Sequence, residues 1–428
     1  MSIFISIISA VIIFGSGIIL IWHMLANAGV KLSYTIPDKS ARYFERHTPS
    51  SRECVTAFIC SMLFRIFVIA AAYVGFCIFS GSGNFKLTEI YSRWLQWDAN
   101  NYIRISEGYK SFDINGDYST IVFFPLYSWL LRIVRIFIHQ PVIAGLTLSA
   151  LLSSASCVYL YKLVCIDYSR NTAQNAAVLM CIFPFSFFFG SVMSESAFLL
   201  TSIMTLYYTR KHNWIMAGIS GILAALSRSA GVFLIFPATV EFIEEYKLFE
   251  LIKKPKELFN LVLRKWTWLL LLPLGTIIYL IINYWLSGDP FYFFDMEEKY
   301  WHQVSQPFFK TAGSLFEIAF TGSKDTSTKM SAFLPGFVSL MCSYALLVFG
   351  LRRHRSMYMF WLVIYIVINT TMSWPLSLCR YISAAVPIYI ILADMCERSK
   401  KLNTALLLSW GILYGIYLTG YVTTHQLM

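Results

Sequence analysis

The chain has 428 residues, 57% of them hydrophobic and only 13% charged, whereas soluble domains carry roughly 25% charged residues. Apolar runs of about 17–25 residues recur along its whole length, each long enough to cross a hydrocarbon core of about 30 Å as a helix, so an ordinary soluble domain has no room. The net charge of +11 comes from short basic clusters between apolar runs and not from a continuous stripe, which fits positive-inside topology and excludes nucleic acid as a partner.

Nine cysteines (54, 60, 77, 157, 165, 181, 342, 379 and 396) fall mostly within or at the ends of the expected spans, without the C-x-x-C spacing of a zinc site, and read as small buried apolar residues. The N-terminus lacks the basic n-region and cleavage site of a signal peptide, so the first helix is expected to stay. No fixed-period repeat is visible, and no P-loop, GxGxxG, His-Glu-x-x-His or Gly-x-Ser-x-Gly motif falls at a plausible place.

Taken in order, a first span covers about 3–26, and the segment from Lys31 to Arg52 carries basic residues at 31, 39, 42, 46 and 52, which assigns it to the cytoplasm. A second span, about 55–79, then delivers the stretch from Trp94 to Tyr127 to the outside. From the C-terminus, spans at 403–424, 377–396, 357–373 and 332–351 alternate with the basic junctions Glu397 to Lys401 and Arg352 to Arg355. That leaves 287–330 external and a span at 266–286.

In the middle, runs at 213–227 and 230–246 form a hairpin whose tip, Ser227-Arg228-Ser229, is external, with Arg210-Lys211-His212 cytoplasmic. Spans at 193–209 and 172–190 meet externally at Ser191 to Glu195, and span 141–165 enters from outside. The run 122–138 therefore starts and ends on the outer side and reads as interfacial or re-entrant, although its Arg132 and Arg135 suit the inner side better.

In the external stretch, Trp94, Trp97, Asp98, Asn101, Tyr102 and Ile105 recur at helical intervals. One reading is an amphipathic helix resting at headgroup level with a solvated acid. The other makes Asp98 a general base, its pKa raised by apolar rings. Pro125 in Phe123-Phe124-Pro125-Leu126-Tyr127 fits the first turn of a helix. Glu195, beside Ser194, is either an intramembrane functional acid or a helix cap. Arg228 and Arg380 lie at the outer ends of apolar runs. They either snorkel to the interface or bind a phosphate through the guanidinium fork.

Trp97-Asp98, Tyr102, Ile105, Gly108-Tyr109, Phe123 to Tyr127, Phe183-Pro184, Phe187-Phe188, Ser194-Glu195, Ser227 to Gly231, Gly288-Asp289-Pro290 and Arg380-Tyr381 together resemble the PIG-V family. That family comprises the second GPI mannosyltransferase of eukaryotes and its prokaryotic relatives, glycosyltransferases of the GT-C fold. The resemblance covers about 55–396. It implies an all-α polytopic membrane protein of GT-C type with about 11–13 transmembrane helices and a large first external loop carrying interfacial helices. Residues 1–54 would add an N-terminal helix and basic linker, and 397–428 a last helix, around a catalytic module with external loops at about 80–121 and 287–330.

It further implies a polyprenyl- or dolichyl-phosphate sugar donor, a glycolipid or glycan acceptor, contact with membrane lipids, and neither cofactor nor metal. Asp98 takes the position of the catalytic base, and Arg228 and Arg380 match positions for the donor phosphate. Trp97, Tyr102, Glu195 and Tyr381 are expected in the substrate site. The segment between Tyr109 and Phe123 departs from the eukaryotic pattern, and Phe-Phe-Pro-Leu-Tyr resembles the prokaryotic branch, which favours a prokaryotic cytoplasmic membrane. The alternative is a lipid or glycolipid transporter, against which the lack of internal symmetry speaks.

Overall fold

The computed structural model describes residues 1–31, 47–80, 87–109, 118–322, 324–373 and 375–423. The basic residues 39, 42 and 46, and the departure between Tyr109 and Phe123 except at Tyr118 to Val122, lie outside them. All elements are helical among the described residues, with one isolated bridge between Ser305 and Met372.

The first helices are α1 (Ser2–Asn27), α2 (Ser51–Ser80), the short α3 (Leu87–Ser92) and α4 (Ala99–Ser106), then α5 (Leu126–Val134), α6 (Pro141–Asp167) and α7 (Arg170–Ile182). The middle holds α8 (Glu195–Arg210), α9 (Trp214–Ser227), α10 (Ile235–Glu245), α11 (Leu248–Leu251), α12 (Pro255–Arg264) and α13 (Leu272–Ser287). The last part holds α14 (Tyr292–Trp301), α15 (Phe308–Phe320), α16 (Thr326–Thr328), α17 (Leu334–Gly350), α18 (Ser356–Asn369), α19 (Leu378–Ser383), α20 (Val386–Arg398) and α21 (Lys400–Val422).

Among the described residues, six stretches are long and apolar enough to cross a membrane: Ser2–Asn27, Ser51–Phe79, Pro141–Asp167, Pro255–Ser287, Thr326–Gly350 and Lys400–Val422. The other apolar runs form shorter helices, α9 and α18 among them. The chain is an integral membrane protein. Residues such as Phe14, Ile18, Phe67, Ile277, Trp285 and Ile412 are exposed on these helices, as lipid-facing side chains must be in a solvent that offers no hydrogen bonds.

Local chemistry sets where the helices begin and end. Ser50 and Glu53 close a capping box at the start of α2, the Glu53 N–H donating to Ser50 Oγ at 3.2 Å and the Ser50 N–H to Glu53 Oε2 at 2.8 Å. α7 stops at Ile182 because Pro184 disfavours helix at the residue before it. α13 ends on Gly288, whose φ of 81° lies in the left-handed region that glycine enters without penalty.

α5 is nine residues long, roughly 13 Å, and cannot cross a 30 Å core. Its Arg135, at the C-terminal end, donates to Ser106 Oγ at 2.7 Å and Glu107 Oε1 at 3.1 Å. The arginine that suited the inner side is thus held by the C-terminal end of α4.

α6 is the central helix, packed on α2, α7 and α8. α8 packs in turn on α9, α9 on α13, and α20 on α7; α1 lies along α15, and α21 runs between α2 and α20. α8 is sealed inside this arrangement, with only Leu200, Met204, Tyr207 and Tyr208 short of full burial. Its two ends lie roughly 24 Å apart, given its 16 residues.

Candidate active site

Four ionisable side chains converge beside the N-terminal end of α8. Arg380 Nη1 donates to Asp98 Oδ2 at 2.7 Å, and Arg380 Nε donates to Glu195 Oε1. Arg228 Nη2 donates to the same Glu195 oxygen at 2.5 Å. Glu195 is wholly buried and Arg380 nearly so, whereas Asp98 and Arg228 keep 16% and 15% of their side chains accessible. The buried pair is therefore the floor of the site, and the other two face its opening.

Each of these residues stands at a break in a helix. Asp98 is the N-cap of α4, yet its side chain makes no cap hydrogen bond; it is turned to Arg380 instead. Ser194 caps α8 in the same unfulfilled way, its hydroxyl lying 2.7 Å from Tyr102 Oη and accepting from Arg228 Nε at 3.4 Å. Glu195 is the first residue of α8, where the helix dipole favours a carboxylate, and Arg228 closes the C-terminal end of α9, where it favours a cation.

Arg228 is extended, at φ −159°, and the chain turns back immediately afterwards. A Cβ on Gly231 would lie 2.1 Å from the Ala224 carbonyl oxygen, so this close return needs glycine. Arg380 sits on the six-residue α19, separated from α20 by a turn at Ala384 and Ala385.

Rings wall the cluster. Arg228 lies over the Tyr381 ring at 4.8 Å and Arg380 over Phe188 at 5.3 Å, cation–π contacts that hold both guanidinium planes. Trp97 packs on Phe188 and, at 5.0 Å, on Tyr421 of α21, whose hydroxyl donates to the Trp94 carbonyl. Tyr102 meets Phe123 and Tyr127 edge-on. Its phenol is pushed up from its usual range, chiefly by burial and next by the Glu195 carboxylate, so it stays protonated and acts as a hydrogen-bond donor.

All of the residues expected in the site, Trp97, Asp98, Tyr102, Glu195, Arg228, Arg380 and Tyr381, thus lie within one connected cluster. The expected single helical face does not form, because α4 begins only at Ala99. Trp97 adopts φ 45°, a left-handed conformation that costs a bulky residue energy and breaks the helix. Asp98 also differs from the acid flanked only by rings, since a guanidinium occupies one of its oxygens.

Three further polar residues act locally. Asp289 Oδ1 accepts from the Phe291 N–H at 2.8 Å, His302 terminates α14 at φ 53°, and Asn369 Nδ2 donates to the Tyr365 carbonyl oxygen at 2.8 Å.

Two ionic features were not anticipated. Arg65, midway along α2, is buried, donates from Nη1 to the Ser186 carbonyl at 2.9 Å, lies against the Phe64 and Phe189 rings, and has no hydrogen bond at Nε or Nη2 among the described residues. A lone arginine at the centre of a 25-residue apolar run is a signal that the sequence carried. The second is a cluster at the far end of α8. Arg210 binds Asp167 through Nε and Nη2 and Glu241 at 3.1 Å, and Arg355 joins Asp167 at 2.9 Å. Nearby, His212, Glu241 and Glu245 bring ligand atoms within 4.8 Å of one another, but the guanidinium groups of Arg210 and Arg355 beside Glu241 oppose a cation there.

No family model and no curated protein matches the chain. Among solved structures, the chain is similar to the oligosaccharyltransferase of Archaeoglobus fulgidus in its apo form, with 13% identity and a TM-score of 0.46 over 88% of this chain and 57% of that one. The archaeal oligosaccharyltransferase AglB from the same organism, in complex with an inhibitory peptide and a dolichol-phosphate, gives 13% identity and a TM-score of 0.42 over 86% of this chain and 55% of that one. The chain thus spans little more than half the length of these structures.

Proposed function

We propose that the protein is a membrane glycosyltransferase of GT-C type, related to the PIG-V family, that transfers a sugar, mannose first among candidates, from a polyprenyl- or dolichyl-phosphate donor to a glycolipid or glycan acceptor with inversion. The transfer takes place on the external face, in a catalytic module of about 55–396. The observation that carries this reading is the connected chain Asp98, Arg380, Glu195 and Arg228, with a carboxylate and a guanidinium at the opening and their counter-ions sealed below.

In this reading the acceptor oxygen attacks the anomeric carbon from the face opposite the phosphate. The bond between that carbon and the phosphate oxygen breaks, the acceptor proton passes to Asp98, and polyprenyl phosphate leaves. Arg380 holds Asp98 through Oδ2, which fixes the rotamer and directs Oδ1 to the hydroxyl. Arg228, stacked on Tyr381 and partly open, meets the developing phosphate charge. Arg380 adds positive field from beneath but is engaged by two carboxylates, so its main part is to position them. Trp97 and Tyr102 wall the sugar site.

The test is reconstitution of the protein with polyprenyl-phosphate mannose and candidate acceptors, followed by product analysis. A covalent product that disappears in Asp98→Asn is expected. Wild-type transfer by that variant would overturn the base assignment, and movement of labelled lipid without any covalent product would favour a transporter.

A further inference from the structure

A groove of about 900 Å³ opens at the end of α2 farthest from Asp98. α2 and α7 both pack on α6, and the groove runs between them with α6 as its floor. At its mouth stand Arg52, Glu53 and Arg170; deeper, Cys60, Val178, Ile182 and Phe64 give apolar walls. Arg52, Cys60 and Val178 are exposed, so the groove opens sideways into the bilayer as well as at its mouth.

Its length identifies the kind of occupant. From Ser50 to Phe64 the groove follows α2 for roughly 20 Å and stops about half-way along this helix. That is the depth of one leaflet with its headgroup, half of a hydrocarbon core of about 30 Å plus the polar zone. An acyl chain matches this depth, whereas a long isoprenoid chain would leave most of its length outside the groove. Charge identifies the head. Arg170 Nε is paired with Glu53 at 2.7 Å while its side chain stays 55% accessible, and Arg52 enters no ion pair among the described residues. The mouth keeps a net positive charge and an open guanidinium.

We propose that this groove binds one anionic glycerophospholipid of the leaflet at the Arg52 end, its phosphate on Arg52 and Arg170 and one acyl chain along Cys60, Val178 and Ile182. By positive-inside reading this is the cytoplasmic leaflet. The site lies at the opposite end of α2 from Asp98, and the inference does not depend on the proposed transfer reaction. The bound lipid completes the packing between α2 and α7, which touch each other little on their own.

The experiment uses the full-length protein, purified in detergent and delipidated, with phosphatidylglycerol, phosphatidylcholine and polyprenyl phosphate as separate probes; thermal unfolding and native mass spectrometry give the readouts. Phosphatidylglycerol is expected to raise the unfolding temperature and to remain bound at one equivalent. Arg52→Glu, an exposed change that spares the fold, weakens that binding by about tenfold, the loss of one charge-assisted contact. Val178→Trp fills the channel and abolishes the bound equivalent while the lipid-free melting temperature holds. Equal stabilisation by phosphatidylcholine, tighter retention of polyprenyl phosphate, or unchanged binding in Val178→Trp would each overturn the proposal.

Discussion

At one end of α8 Glu195 touches two guanidinium groups, and at the other Arg210 touches two carboxylates, yet the two clusters differ in how their acids are satisfied. Asp167 accepts five hydrogen bonds, from Arg210, Arg355 and Tyr358. Asp98 accepts a single one from the described residues, through Oδ2. Both clusters contain an orphaned buried oxygen, Glu195 Oε2 and Glu241 Oε2, so burial alone does not separate them. What separates them is an acid at the opening with a free oxygen. A saturated carboxylate has no lone pair left for a substrate proton, which makes the Asp167 cluster a fastening and leaves the Asp98 cluster as the candidate site.

The largest expected contrast follows from that difference. Asp98→Asn keeps the shape and a hydrogen-bonding oxygen, and removes the proposed base. Transfer from polyprenyl-phosphate mannose should fall by about 10²–10⁴-fold, with little change in unfolding. At the other end, Arg210→Met takes from Asp167 and Glu241 the guanidinium that joins them and leaves Arg355 to serve both in a buried setting. Breaking a buried pair by removing one partner costs about 3–5 kcal/mol, so this variant should lose stability in chemical denaturation, and the residual folded fraction should transfer sugar at the normal rate. If Arg210→Met abolished turnover in the folded fraction, or if Asp98→Asn unfolded the protein, the division between fastening and site would be wrong.

A smaller effect tests how the open guanidinium is used. Arg228→Lys keeps the charge but loses the planar fork and its stacking on Tyr381. A drop in kcat/KM for the lipid-phosphate donor of about 10–100-fold is expected, with the acceptor KM unchanged. Equal loss against both substrates would place Arg228 in the frame of the site and not at the phosphate.

How much of this was legible beforehand depends on what each rule counts. Ser194-Glu195 and Ser227-Arg228-Ser229 stood out because each interrupts apolar sequence, and Trp97-Asp98 because it sets an acid among rings soon after a span; helix breaks are where buried charge finds room. Charge topology placed Arg210 and Arg355 opposite Asp98, in agreement with their positions at the two ends of α8. It missed their partners because positive-inside counting ignores acids: Asp167 and Glu241 each lie near the end of an apolar run, where the rule assigns an acid no weight. The resemblance grouped Asp98, Glu195 and both arginines in one site, but the chain of ion pairs that joins them was not legible, since its contacts link residues as far apart as Asp98 and Arg380. Nor was the φ of Trp97, which is imposed by packing on Phe188 and Tyr421 against the local helical preference.

The smallest net effect is in pH dependence, because the two ends should respond in opposite senses. On the Asp98 side, Glu297 of α14, a helix outside the spans, has its carboxyl pushed up to about 7 by burial. The native state then binds more protons than the unfolded state from about pH 4.5 to 7, and stability falls as pH rises through that window. On the Arg210 side, His354, in the turn between α17 and α18, is pushed down to about 4, first by burial, with Asp394 opposing and Arg398 and Arg353 adding. There the unfolded state binds more protons from about pH 6.5 down to 4, and stability is lost as pH falls. Each window spans roughly 2.5 pH units, and at about 1.4 kcal/mol per pH unit each group contributes up to about 3 kcal/mol. Global unfolding should therefore stay nearly flat over this range while its parts do not. Hydrogen exchange resolves them: α14 should be better protected at pH 5 than at pH 8, and the His354 turn better protected at pH 8 than at pH 5. Glu297→Gln should abolish the first slope alone and His354→Gln the second alone. A single variant that flattened both would mean that the two ends open as one cooperative unit, and the independence of fastening and site would fail with it.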